Sequence, residues 1–354
     1  MDEKMLLEAI KRNKNTFRTD KMDFSFGELM TMYLSEELII DPNYQRLFRW
    51  SEFQQTLFLE SIILGIPIPP IFVAENEEGK WELVDGLQRM STIISFFGEL
   101  QTFPEKNAWK LKKGRLVPEL EGYDYSTLPT KLSLNIKRSG CRVEIISSES
   151  ELDMRFELFN RLNTGGSILT EQEIRNCIFR GYKSEFYDML GEISNNETFL
   201  RLVNLTKRKI SERYHEDLAL RVIALLDGWE DIDIPLGQFL TAYLKDSVKN
   251  ENYNTTEKKD TFFRILRVII RIDNVFKGKN NQFSASYFEV IMLIIGKNLE
   301  VFESMEQKEI IEFIDAIKTS DDFADKMGSS ASASSRVLKR IEIVQEIFDR
   351  MFPG

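Results

Sequence analysis

Three short stretches of this chain combine residue types that could handle an anion. In the first, Asp41, Pro42, Asn43, Tyr44, Gln45 and Arg46 run through Leu47, Phe48 and Arg49 to Trp50. A strand over residues 37–40 is predicted before it. A helix over 51–64 is predicted after it, with Ser51 as N-cap and Gly65 past its end. Gln45 and Arg46 would then lie near a helix N-terminus, where an arginine fork and helix-end amides make an anion site. An exposed arginine and a packed Trp50 explain the same residues without a ligand.

The second stretch is Val84, Asp85, Gly86, Leu87, Gln88, Arg89, Met90, Ser91 and Thr92. Its pattern predicts a strand ending at Val84, a turn at Gly86, and a helix to residue 97 closed by Gly98. The amides at that helix start could face a phosphate. Arg89 falls in the first turn, where a cation opposes the helix dipole unless an anion lies close. Asp85 reads either as the N-cap or as a carboxylate that orients an arginine or holds hydrated Mg²⁺.

The third stretch runs from Phe156 to Gly166. Leu152, Phe156 and Phe159 form a core stripe on a helix expected over 150–162. Asn160 and Asn163, three apart, share a face near its end. Gly165 and Gly166 permit a sharp turn. Thr170, Glu171, Gln172 and Glu173 follow with a capping-box pattern, so Glu173 is either a helix cap or a catalytic carboxylate.

The elements that must carry these residues follow from periodicity and turn chemistry. Residues 66–70, with three prolines, must be extended. Residues 71–74 and 81–84 read as a hairpin around 76–79. A polar insertion with short helices is expected over 101–135, a strand over 141–146, and a helix over 170–179. Beyond about residue 181 long helical patterns dominate, over 216–226, 261–276, 288–302, 308–318 and 337–351. The expected organisation is α+β: a tail over 1–20, a mixed domain over 21–180, and an all-α domain over 181–354.

Bulk composition removes several function classes. The 354 residues carry a formal net charge of −10, which disfavours indiscriminate nucleic-acid binding. His215 is the only histidine, so multi-histidine metal centres and HNH-type nuclease sites lack their ligands. His215 itself reads as a local hydrogen-bonding residue. Cys141 and Cys177 have no metal-site or redox spacing, and a reducing cytoplasm fits them. Residues 1–14 read as a charged helix rather than a signal peptide. The apolar runs are too short to span a bilayer. No Walker A pattern is present. Lys207, Arg208 and Lys209, with Arg201, Arg213 and Arg221, read as a solvated helix face or as a contact for nucleic acid or a partner protein. The serine-rich stretch 329–335 reads as a linker or an anion-binding loop.

Taken together and in order, the three stretches resemble the N-terminal domain family of GmrSD restriction endonucleases, also described as ParB-like. The resemblance covers residues 24–179 and rests on Pro42 to Arg46 with Trp50, on Asp85 to Arg89 with Thr92, and on Phe159 to Asn163 with Gly166, Leu169 and Glu173. It implies a ParB/sulfiredoxin-like α+β fold that binds a nucleoside triphosphate with Mg²⁺. By that likeness Arg46 and Arg89 contact phosphates, Gly86 and its neighbouring amides cradle them, and Thr92 belongs to the same nucleotide site. Gln45 or Gln88 orients a water, Asp85 and Glu173 are the nearby carboxylates, and Asn160 or Asn163 helps hold the metal. Phosphoryl transfer needs mainly positioning and charge stabilisation, so such a set would suffice without histidine.

The family acts in bacterial defence against phage or modified DNA, which implies DNA and a partner nuclease or effector as associates. Leu87 stands where the family has the first glutamine of an Asp-Gly-Gln-Gln-Arg pattern, so binding without turnover is one reading. A ParB-like nuclease is a second, needing clustered carboxylates. A non-catalytic interaction module with a decayed phosphate site is a third.

Overall fold

A computed structural model describes residues 3–15, 19–40, 48, 50–76, 78–101, 103–107, 109–147, 161, 170–179, 184–278, 281–328 and 332–353. Two compact units divide the chain, Met1–Ile168 and Leu169–Gly354.

The first unit is built on a five-stranded mixed sheet in the order β1-β5-β3-β4-β2. Its strands are β1 (Thr19–Ser25), β2 (Leu38–Ile39), β3 (Ile71–Glu75), β4 (Trp81–Asp85) and β5 (Gly140–Ile146). The expected hairpin of β3 and β4 is antiparallel, with a register shift between Phe72 and Val73. β5 runs parallel to β3 and antiparallel to β1. Alternation explains the central strands: Ile71 and Val73, Leu83, and Cys141, Val143 and Ile145 all enter one core. Cys141 is buried there, which pushes its thiol up to about 11.

Sequence patterning missed β1. Asp20, Lys21 and Asp23 interrupt any apolar alternation, and charged side chains are what an edge strand carries to resist further pairing. Arg142 on the neighbouring strand holds Asp23 at 3.2 Å.

A preceding helix α1 (Glu3–Asn15) and four others complete the labelled elements of this unit: α2 (Phe26–Leu34), α3 (Glu52–Ile63), α4 (Leu87–Phe96) and α5 (Thr130–Arg138). Ser25 and Ser51 cap α2 and α3 with complete capping boxes, through Glu28 and Gln54. Phe26 and Leu29, Leu59 and Ile62, Met90, Ile93 and Ile94, and Ile136 bring those four helices into the sheet's core.

The insertion after α4 is tied down by a buried carboxylate. Glu60 of α3 accepts from the amides of Leu116 at 2.8 Å and Val117 at 2.7 Å, with Arg115 at 3.3 Å. Glu60→Leu fills the space but removes the acceptor. It is expected to cost about 2 kcal/mol, read as a shift of the denaturation midpoint, while Glu60→Gln retains most of the stability.

The second unit is helical throughout its labelled elements. It contains α6 (Glu171–Phe179), α7 (Glu185–Ser194), α8 (Glu197–Val203), α9 (Lys207–Ser211), α10 (Tyr214–Gly228), α11 (Leu236–Lys249) and α12 (Thr255–Ile269). It continues with α13 (Ala285–Lys297), α14 (Leu299–Ser304), α15 (Gln307–Thr319), α16 (Asp321–Ala324) and α17 (Ser334–Met351). α10 and α13 are buried over most of their length and form its centre. The helix expected over 288–302 is broken at Asn298, which ends α13 and starts α14. The one expected over 261–276 begins earlier, where Asn254 caps α12, and stops at Ile269.

The two compact units divide between Ile168 and Leu169, before the boundary expected at residue 180. α6 belongs to the helical unit because the fully buried Arg175 donates to Gly237 O and Thr241 Oγ1 of α11 and to Asp217 of α10. Among the described residues no helix is long and apolar enough to cross a membrane.

Candidate functional site

The second sequence stretch sits where β4 ends and α4 begins. Asp85 is the last residue of β4, and Gly86, not Asp85, is the N-cap. Gly86 has φ +104°, in the left-handed region. A Cβ there would stand 2.5 Å from Ile71 Cγ2. Both backbone angle and space therefore require glycine. No side chain caps α4, which leaves the start of the helix to a ligand or to water.

Arg89 meets the electrostatic condition set by its position. Its Nη1 donates to Pro69 O at 2.6 Å and Pro70 O at 2.8 Å, and its Nη2 to Asp85 Oδ2 at 2.6 Å. The anion that a first-turn arginine needs is supplied by its own strand. The clamp also gives a role to two of the three prolines before β3: an extended Pro69–Pro70 segment turns two carbonyls toward one guanidinium. Of the five N–H donors of a guanidinium, these bonds engage three, leaving Nε and one Nη2 hydrogen. The Asp85 side chain is 42% exposed and that of Arg89 11%.

Gln88 is buried, and its Oε1 accepts from the amide of Trp50 at 3.0 Å. Trp50 O in turn accepts from Gln55 Nε2 of α3 at 3.0 Å. The last residue of the first stretch is thereby tied to α4, the helix of the second. Thr92 is fully buried, and its hydroxyl donates to Gln88 O at 2.7 Å. It braces the first turns of α4 from inside rather than lining a surface. Leu87 is half-buried and packs against the core of the sheet unit, which accounts for an apolar residue at that position.

Gln45 and Arg46, and likewise Asn160 and Asn163, lie outside the described residues. Glu173 belongs to the helical unit, where Thr170 N donates to its Oε2 at 2.7 Å and its own amide donates to Thr170 Oγ1 at 3.2 Å. The capping reading of Glu173 is thus what α6 displays. Asp85, Gly86, Gln88, Arg89 and Thr92 are brought together.

Sequence reading missed Gln55 and Lys106. Lys106 Nζ donates to Phe48 O at 2.8 Å and lies 4.9 Å from the Phe48 ring centroid and 5.4 Å from that of Phe103. Neither residue lies within a motif, so only the tertiary contact reveals them.

The family model described as the GmrSD restriction endonuclease, N-terminal domain, matches residues 26–180. Residues 26–180 form a GmrSD N-terminal domain. The match begins with α2 of the sheet unit and extends just past α6, so the GmrSD domain takes in the whole β4–α4 turn and the first helix of the second unit. No curated protein and no solved structure matches the chain significantly.

The basic cluster is drawn in part into internal pairs. Of the basic cluster, Arg208 pairs with Glu212, Arg213 with Glu216, and Arg221 with Asp217 and Glu289. His215 is 2% exposed, and its Nδ1 has no hydrogen-bond partner among the described residues. Burial lowers its pKa, with Glu216 acting in opposition, so the imidazole is a neutral core group. Among the described residues no group of three or more His, Cys, Asp and Glu could hold a metal ion.

Proposed function

We propose that the GmrSD domain binds a nucleoside triphosphate with Mg²⁺ at the β4–α4 turn and serves as the nucleotide-dependent regulatory part of a restriction-type phage defence system. The observation that carries this reading is the uncapped, glycine-initiated α4 with the Arg89–Asp85 pair beside it. Phosphate oxygens would accept from the first-turn amides, and the helix dipole favours their charge there. Arg89 would add its two uncommitted donors while the Pro69 and Pro70 carbonyls fix its plane. The fold that this reading assigns to the first unit is ParB/sulfiredoxin-like. The strand–glycine–helix order after β4, an inner strand of a mixed sheet, supports it.

The donor set suits Mg²⁺ brought in with the nucleotide. Such an ion keeps several waters and takes one or two protein carboxylates. Asp85, exposed and oriented through one oxygen by Arg89, would provide one. Asn160 or Asn163 would add a neutral oxygen. When bound, the ion supplies charge neutralisation for phosphoryl transfer.

Turnover is slow on this reading, because Leu87 packs into the core and Gln88 is committed to Trp50. Gln45 is left as the residue to orient a water. Phosphoryl transfer through amides, an arginine and one ion needs no carboxylate cluster, so nucleotide hydrolysis is preferred over metal-dependent DNA cleavage, which a partner nuclease would perform in the cytoplasm.

Arg89→Ala in an otherwise folded chain is expected to abolish Mg-nucleotide binding in calorimetry. Unchanged affinity would sink the assignment of the site.

A further inference from the structure

The side chains that hold Phe48 and Trp50 come from three separate places. Gln88 of α4 accepts the Trp50 amide, and Gln55 of α3 donates to the Trp50 carbonyl. Lys106, in the insertion after α4, donates to the Phe48 carbonyl. Phe48 is 4% exposed and Trp50 packs edge-on against Phe58 of α3, ring centroids 5.6 Å apart. Trp50 is therefore tied to the start of α4, and Phe48 to the insertion.

Lys106 is placed unlike an ordinary surface lysine. Its ammonium lies over two aromatic rings and against a carbonyl, and no carboxylate forms a salt bridge with it among the described residues. Burial lowers its pKa, with Glu105 acting against that. A cation on aromatic faces that is also a carbonyl donor is specific in direction and distance, so it can hold a backbone in place. Displacing Phe48 would draw Trp50 away from Gln88, whose carboxamide sits two residues past the N-cap glycine.

We infer that Lys106 is a positioning residue for the nucleotide site. Acting through Phe48 and Trp50, it fixes the Gln88 end of the α4 N-terminus in the geometry that receives phosphate. The inference rests on the nucleotide reading above. Lys106→Met keeps the aliphatic packing and removes the donor, whereas Lys106→Arg keeps both a donor and a cation over the rings.

Two measurements on the full chain test it: deuterium uptake of peptides covering residues 48–50, and Mg-nucleotide affinity by calorimetry. Lys106→Met is expected to raise uptake over 48–50 and to weaken nucleotide binding about threefold, below the roughly tenfold that loss of a residue directly supporting a ligand contact brings. Lys106→Arg is expected to restore both. Unchanged uptake in Lys106→Met overturns the clamp. Raised uptake with full affinity overturns its positioning role and leaves the nucleotide site standing. Failure of the unmodified chain to bind any nucleotide overturns the nucleotide reading and the positioning role together.

Discussion

Arg175→Met is expected to destabilise the helical unit by about 3–5 kcal/mol, the cost of breaking a buried ion pair from one side. Arg175 is fully buried in an alternating chain of charges, with Glu171 3.7 Å from it on one side. It pairs with Asp217, Asp217 with Arg221 at 2.7 Å, Arg221 with Glu289, and Glu289 with Arg340 at 2.9 Å. These residues link α6, α10, α13 and α17. Removing the first cation leaves Asp217 with Arg221 as its remaining ionic partner and removes the bonds to the Gly237 carbonyl and the Thr241 hydroxyl, which keep their own bond to each other at 2.9 Å. Chemical denaturation followed by circular dichroism reads the change. A loss below about 1 kcal/mol, the scale of an exposed pair, would show that the chain is not a working network. Gly237 belongs to the same weld. A Cβ there would meet the Glu171 carboxylate at 1.9 Å, so any larger residue would displace that exposed side chain.

Gly86→Ala is expected to weaken nucleotide binding about a hundredfold, equivalent to losing roughly 2.7 kcal/mol of phosphate contacts. Two costs coincide at one methyl group. The backbone holds φ +104°, which an L side chain rarely adopts, and the new Cβ would press on Ile71 at the base of β3. Ile71 is fully buried and cannot retreat. The turn must therefore shift and take the first amides of α4 with it. The same strain lowers stability, so affinity is to be measured on chain shown to be folded at the working temperature. Wild-type affinity in Gly86→Ala would mean that phosphate does not bind at this turn.

Much of this architecture is written locally in the chain. Ser51 and Gln54 announce the start of α3, Gly65 and Gly98 lie just past the ends of α3 and α4, and the polar run at 76–79 joins β3 to β4. β1 was invisible because an edge strand is selected for charge rather than alternation. No pattern in 171–179 reveals that Arg175 finds its partners more than forty residues later, at Asp217, Gly237 and Thr241.

The site was legible in residue type but not in partnership. A first-turn arginine implies a nearby anion, and Asp85 four residues earlier supplies it. The part played by the Pro69 and Pro70 carbonyls depends on how the chain returns to β3. The resemblance placed Thr92 in the nucleotide site, and its helical phase turns it into the core. Lys106 and Gln55 act through backbone atoms of distant residues, and such contacts leave no signature in sequence.

The most direct test is titration of the purified chain with ATP, GTP, CTP and UTP in the presence of Mg²⁺, followed by calorimetry, with phosphate release then measured for any nucleotide that binds. The account predicts saturable binding of at least one nucleotide, loss of that binding in Arg89→Ala, and slow phosphate release. No heat of binding for any of the four, with folded protein and with DNA present, would contradict it.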